Sequence, residues 1–206
     1  MKKRVLIAIL ICMSFFGYSQ KIDTVFTTQI LKSYFSTTYK EPLFVTYGLY
    51  HGGGDASRAG LSFKSVKGIT ATDAQYSHSG YDQGHLANAE DFANSDTNIR
   101  LTFFFYNCLP QTPNLNRGIW KNWETTVREE SQKDSLMIVC GGYDFKLINK
   151  LYVPTYCFKI VKNTKTNKIV HVLIFTNTLQ GNTCEETTLD ALIKKSKYTK
   201  LKALVK

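Results

Sequence analysis

Beyond residue 16 the sequence has no apolar run long enough to cross a bilayer as a helix. No Pro-, Gly- or Ser-rich linker divides it, and it has no internal repeat and no low-complexity tract, so its 206 residues suit one domain with a substantial core. The triple glycine at 52–54 is not followed by Lys-Ser/Thr, which removes a P-loop and leaves a flexible loop between strands. The cysteines keep no zinc spacing. Acid is scarce, with 16 Asp and Glu against 26 Lys and Arg and a formal charge of +10. Such a balance favours polyanionic partners, nucleic acid first, although charge alone is equally a feature of ordinary solubility.

What is present begins with an export signal. Lys2, Lys3 and Arg4 precede an apolar run at 5–16 and the small residues Gly17 and Ser19. That order predicts a secretory signal peptide over 1–19, too short for a membrane span, with cleavage near Ser19-Gln20. Cys12 follows Ile11 inside the run and reads as filler, not as a lipid-attachment site. Residues 20–206 are then a single exported domain, periplasmic or extracellular, with no membrane anchor. Losing three basic residues leaves it still basic. Cys108, Cys140, Cys157 and Cys184 remain, and an oxidising compartment permits up to two disulfides in any of three pairings. Cys140 and Cys157, in apolar strand-like runs, read equally well as buried free thiols.

Apolar content of 43%, with 13% aromatic residues, is that of a globular chain with an aromatic-rich core. Residues 21–39 carry a loose helical pattern, 43–50 alternate as a strand, and 58–64 read as a returning strand with Leu61 and Phe63 on one face. A polar surface loop over 68–79 leads to a strand at 81–85. Residues 98–105 suit a helix end or a strand start, and Pro110 and Pro113 predict an irregular passage. A helix follows from near Asn116 to about residue 132, with Trp120 and Trp123 facing inward and Lys121, Asn122 and Glu129 solvated. A strand at 136–140 closes on Gly141-Gly142. Strands at 155–161 and 168–176 are joined by a polar loop of hairpin length, and a short helix is expected at 185–195. Lys159 is unusual in its apolar strand and either reaches an edge or points into a groove. His78 reads as a loop histidine and His171 as a packed or edge one.

The chemistry concentrates between residues 79 and 128. Asp82-Gln83-Gly84-His85 is a turn ending on an imidazole, and Gly84 is read as allowing backbone angles that a β-carbon resists. Asn116, Trp120, Glu124 and Arg128 recur every fourth residue, one stripe on a continuous helix. A hard cation held by oxygen ligands and facing a histidine base is the simplest chemistry these types allow.

These residues resemble the DNA/RNA non-specific endonuclease family, whose signature is Asp-Arg-Gly-His followed by Asn-x-x-Pro-Gln-x-x-x-Leu-Asn-x-Gly-x-Trp-x-x-x-Glu. Asn107, Pro110, Gln111, Leu115, Asn116, Gly118, Trp120 and Glu124 match the second part at its spacing, and Gln83 stands where the family carries arginine. Asp-x-Gly-His alone is weak; joined to the second pattern it is strong. Weaker similarity runs over about 44–177, including Arg58 with Phe63, Val153-Pro154 and Phe158-Lys159.

The resemblance implies an α+β fold of the ββα-metal (His-Me finger) type, a central and mainly antiparallel sheet flanked by helices. It also implies phosphodiester hydrolysis on DNA and RNA with little base specificity, leaving 5′-phosphate ends. His85 would be the general base, with Asn107 orienting nearby. Asn116 would hold one Mg²⁺ (Mn²⁺ as substitute), and Glu124, about 12 Å further along a helix axis, would reach the ion through water. Arg58, Gln83, Arg117 and Arg128 would face substrate phosphate. A neutral Gln83 in place of arginine raises an alternative, a catalytically impaired nucleic-acid-binding protein that keeps the fold. Compensation by Arg58 or Arg117 is the expectation here. A third, weaker possibility is an interaction domain whose polar stripe is only structural.

Overall fold

A computed structural model describes residues 21–205, so the segment read as an export signal lies outside the described residues. Its centre is a seven-stranded antiparallel sheet of β1 (Thr24–Thr27), β2 (Leu31–Ser36), β3 (Glu41–Leu49), β6 (Leu136–Ile148), β7 (Leu151–Asn163), β8 (Lys168–Thr176) and β9 (Cys184–Glu186), side by side in that order. A separate two-stranded sheet pairs β4 (Asp82–His85) with β5 (Cys108–Gln111). The helices are α1 (Asp73–Tyr76), α2 (Asp96–Leu101), α3 (Trp120–Glu130), α4 (Leu189–Ser196) and α5 (Lys200–Leu204).

Side chains alternate across a strand, so the central strands feed two cores. Ile138, Cys140, Cys157, Val161, Leu173 and Phe175 face one side, under Leu86, Leu109, Trp120 and Val127. Val139, Phe158, Ile160, Val172 and Ile174 face the other, where Leu192, Leu201 and Val205 of the C-terminal helices cover them. This is why the run around 156–161 is apolar on both faces. Lys159 belongs to the first side, yet it stays 1% exposed with its Nζ 4.4 Å from the Trp120 ring, beneath the site rather than at an edge.

Several expectations are corrected. Residues 21–39 form no helix; they are the hairpin β1–β2, turned at Thr28, whose hydroxyl accepts from the amides of Ile30 and Leu31. Phe26 packs edge-on to Phe35 and stacks on Tyr106, so aromatic packing decides the matter over a weak helical pattern. Residues 58–64 are no returning strand. Strand β6 itself pairs with β3, and the segment contributes only a bridge from Lys64 to Phe104. Gly141-Gly142 does not close its strand, because β6 runs through both to Ile148. Pro110 sits within β5, opposite Gln83, in a pair short enough to tolerate a missing donor. The apolar stretch at 98–105 begins as the end of α2, capped by the Ser95 hydroxyl, which accepts from the Asn98 amide. The C-terminal helix starts later than expected, at Leu189, after β9. Among the described residues Cys108, Cys140, Cys157 and Cys184 are all free thiols, the first three buried.

Candidate active site

The site begins on β4, where His85 closes the strand opposite Cys108. Gly84 serves close approach, not an unusual turn: a β-carbon there would strike the Gln111 side chain of the paired strand. His85 lies between aromatic rings, its centroid 4.5 Å from Phe63 and 4.7 Å from Phe103. Its Nε2 is buried without a hydrogen-bond partner. Burial, helped by the nearby charge of Arg58, lowers the imidazole pKa to about 3, so the ring is neutral at physiological pH and can accept a proton.

The opposite wall comes from a π-helical turn, Leu115–Ile119, running into α3. Gly118 adopts φ −107° and ψ −112°, outside helical geometry, so Asn116 and Glu124 do not share one straight helix. The four-residue stripe therefore breaks. Trp120 is fully buried against Phe175, at a ring distance of 5.1 Å, on the sheet side of α3. The face of α3 on the cleft is instead Lys121, Glu124, Thr125 and Arg128, the i, i+3, i+4, i+7 set. The rise along one straight axis therefore does not describe how Asn116 and Glu124 are separated.

Asp82, at the start of β4, joins the walls. It accepts from Asn116 Nδ2 at 3.0 Å and from Arg117 Nε and Nη2 at 2.8 and 2.6 Å. Burial raises its pKa, but the Arg117 and Asn116 hydrogen bonds outweigh that and hold it below the usual carboxylate value. Glu124, 8% exposed, accepts from Trp120 Nε1 at 2.9 Å. Burial lifts its pKa to about 7, against the pull of the Lys159 charge.

These walls enclose a cleft of about 840 Å³ that brings together Arg58, Gln83, His85, Asn116, Arg117, Glu124 and Arg128. Asn107 is the exception. It does not line the cleft; it is buried, its carboxamide accepting from Ala87 N at 2.8 Å and donating to the carbonyls of Ala87 and Thr102 at 2.9 Å each. Asn107 thus pins the chain just after His85. Three of the side chains proposed to face phosphate are engaged: Arg117 with Asp82, Arg128 with Asp91 at 3.0 Å, and Gln83, which donates to Asp73 at 2.7 Å. Arg58 lies 4.0 Å from Glu90, both well exposed. Asn88, Glu90, Lys121 and Thr125 also line the cleft and were not singled out. For Lys121 and Thr125 the signal was the helical spacing to Glu124 and Arg128, hidden by the assumption of a helix unbroken from residue 116.

The donor set fits a hard, largely hydrated cation. Asn116 spends its amide N–H on Asp82, which leaves its carboxamide oxygen for an ion, and Glu124 lines the same cleft. Among the described residues no three His, Cys, Asp or Glu side chains stand together as a metal cage. Water would have to fill most of the shell, as it does around Mg²⁺.

Two antiparallel strands ending on a histidine, packed against a helix that lines the same cleft, place this chain in the ββα-metal nuclease fold class. A solved structure titled as the EndoG/EndoGI complex shares the fold, with a TM-score of 0.75 over 86% of this chain and 85% of that one at 19% identity. The family model for DNA/RNA non-specific endonucleases matches residues 15–203, and the chain belongs to that family. Among curated relatives, a Nuclease from Nostoc sp. is 39% identical over 97 residues, covering 45% of this chain and 35% of the relative. The mitochondrial Endonuclease G of Bos taurus is 30% identical over 128 residues, covering 52% of this chain and 43% of the relative. The chain therefore spans less than half the length of the curated relatives it matches.

Proposed function

We propose that this chain is an exported, metal-dependent endonuclease that hydrolyses phosphodiester bonds in both DNA and RNA. The observation that carries the reading is a neutral His85 lining one cleft with Asn116 and Glu124. His85 takes the proton of a water as its oxygen attacks phosphorus, and the bond from phosphorus to the departing sugar oxygen breaks. Phe63 and Phe103 fix the ring's plane, and Asn107 holds the backbone that presents it. Bound by Asn116, and by Glu124 directly or through water, a Mg²⁺ would supply charge neutralisation for the phosphate and the leaving oxygen. Arg58 and the outer nitrogens of Arg128 hold phosphate oxygens, while Arg117 orients Asp82 and through it Asn116. The N-terminal basic-then-apolar segment supports export.

Nicking of a supercoiled plasmid tests the reading. Wild-type protein with Mg²⁺ is expected to convert it to open-circle and linear forms, and EDTA or His85→Ala to abolish this. Hydrolysis that survives either change sinks the mechanism. DNA binding without hydrolysis in the wild type returns the reading to a nucleic-acid-binding protein.

A further inference from the structure

The cations of the cleft are not equally available. Arg117 is forked onto Asp82 and Arg128 is held by Asp91, whose other oxygen accepts from Tyr47. On the β4 wall Gln83 is neutral and its amide is committed to Asp73, and Arg58, whose charge reaches His85, lies 4.0 Å from Glu90. Lys121 differs. It is exposed, it lines the cleft, and among the described residues no carboxylate pairs with it. It also lies one turn before the buried Glu124 on the same helix face, which sets it at the mouth while the reacting groups lie deeper.

We propose that Lys121 holds a backbone phosphate flanking the one being cut, and so makes the cleft select polymeric over minimal nucleic acid. The proposal rests on the nuclease reading above. A lysine is suited to the task, being a point charge on a flexible stem that follows a phosphate without demanding its orientation. Glu124, Asn116 and His85 surround the place of the reacting phosphate. A cation at the rim meets the next phosphate along the strand, which a dinucleotide does not possess.

The test compares kcat/KM on a single-stranded oligonucleotide of about ten residues with that on a dinucleotide. Lys121→Gln is expected to lose about tenfold more on the oligonucleotide than on the dinucleotide, chiefly through KM, and Lys121→Arg to restore most of it. In a His85→Ala background with EDTA present, binding of the same oligonucleotide is measured against salt. There Lys121→Gln should flatten the log–log slope by about 0.7, the value for one phosphate contact on a single strand. Equal losses on both substrates, or an unchanged salt slope, overturn the proposal. The binding arm needs no catalysis, so a failure of the nuclease reading shows up separately, as a wild-type protein that cuts nothing.

Discussion

At the scale of single residues, two asparagines that look alike in the sequence do different work. Asn107 is buried and its carboxamide makes three hydrogen bonds to backbone. Asn116 is half-buried and binds only the Asp82 side chain. At about 1 kcal/mol per bond, plus the cost of stranding buried backbone groups, Asn107→Ala should destabilise the protein by about 2–4 kcal/mol. Asn116→Ala should cost less than about 1 kcal/mol yet remove metal-dependent activity. Urea denaturation beside plasmid nicking separates them, and equal stability losses would show that Asn107 is not the structural one. That His85, Asn116 and Glu124 would share one cleft was legible through the family motif they match. Asn107 was legible as important but not in its role, since the sequence does not tell an amide that faces substrate from one that ties down a loop. Lys121 was passed over because an exposed lysine on a helix is ordinarily solvated.

At the scale of elements, α3 is fastened at its far end by a histidine. His171 on β8 places Nε2 3.0 Å from Glu130 at the end of α3 and Nδ1 2.8 Å from Glu186 on β9, with Trp123 edge-on at 5.0 Å. Cys184 lies on the same edge strand. Burial alone would lower the His171 pKa, but hydrogen bonds and charges from Glu186 and Glu130 raise it above 6.5 overall. The clamp is therefore fully present below about pH 6.5 and is lost as pH rises through the elevated folded-state value. Protection factors along α3 and β9, which divide out the base catalysis of exchange itself, should fall over that interval, and in His171→Gln that fall should disappear. An unchanged profile in the variant would remove His171 from the account. The bounds of β8 were legible at 168–176 because a polar hairpin loop precedes it and β-branched residues fill its first half. The β1–β2 hairpin escaped notice because β2 lies between two strands with residues 33–36 all buried, which erases the alternation that marks a strand. Trp120 faces inward as expected, but Gly118, one residue off helical geometry, hid from the helix reading that Lys121 lines the cleft.

At the scale of the whole molecule, the sheet separates two kinds of covering. The C-terminal helices seal one face with apolar side chains. The other face carries β4, β5 and α3, whose polar outer surface forms the cleft. The carboxylates that line the cleft are Glu90 and Glu124, while Asp82 and Asp91 hold two of its arginines, Arg117 and Arg128. The central claim is that His85 and Asn116 serve one ion and one phosphate across that cleft. A crystal soaked in Mn²⁺ measures it most directly through the anomalous signal. The account predicts a single strong peak beside the Asn116 carboxamide oxygen, on the side facing His85 and Glu124, and its loss in Asn116→Ala. A peak elsewhere on the molecule, with none in the cleft, would contradict it.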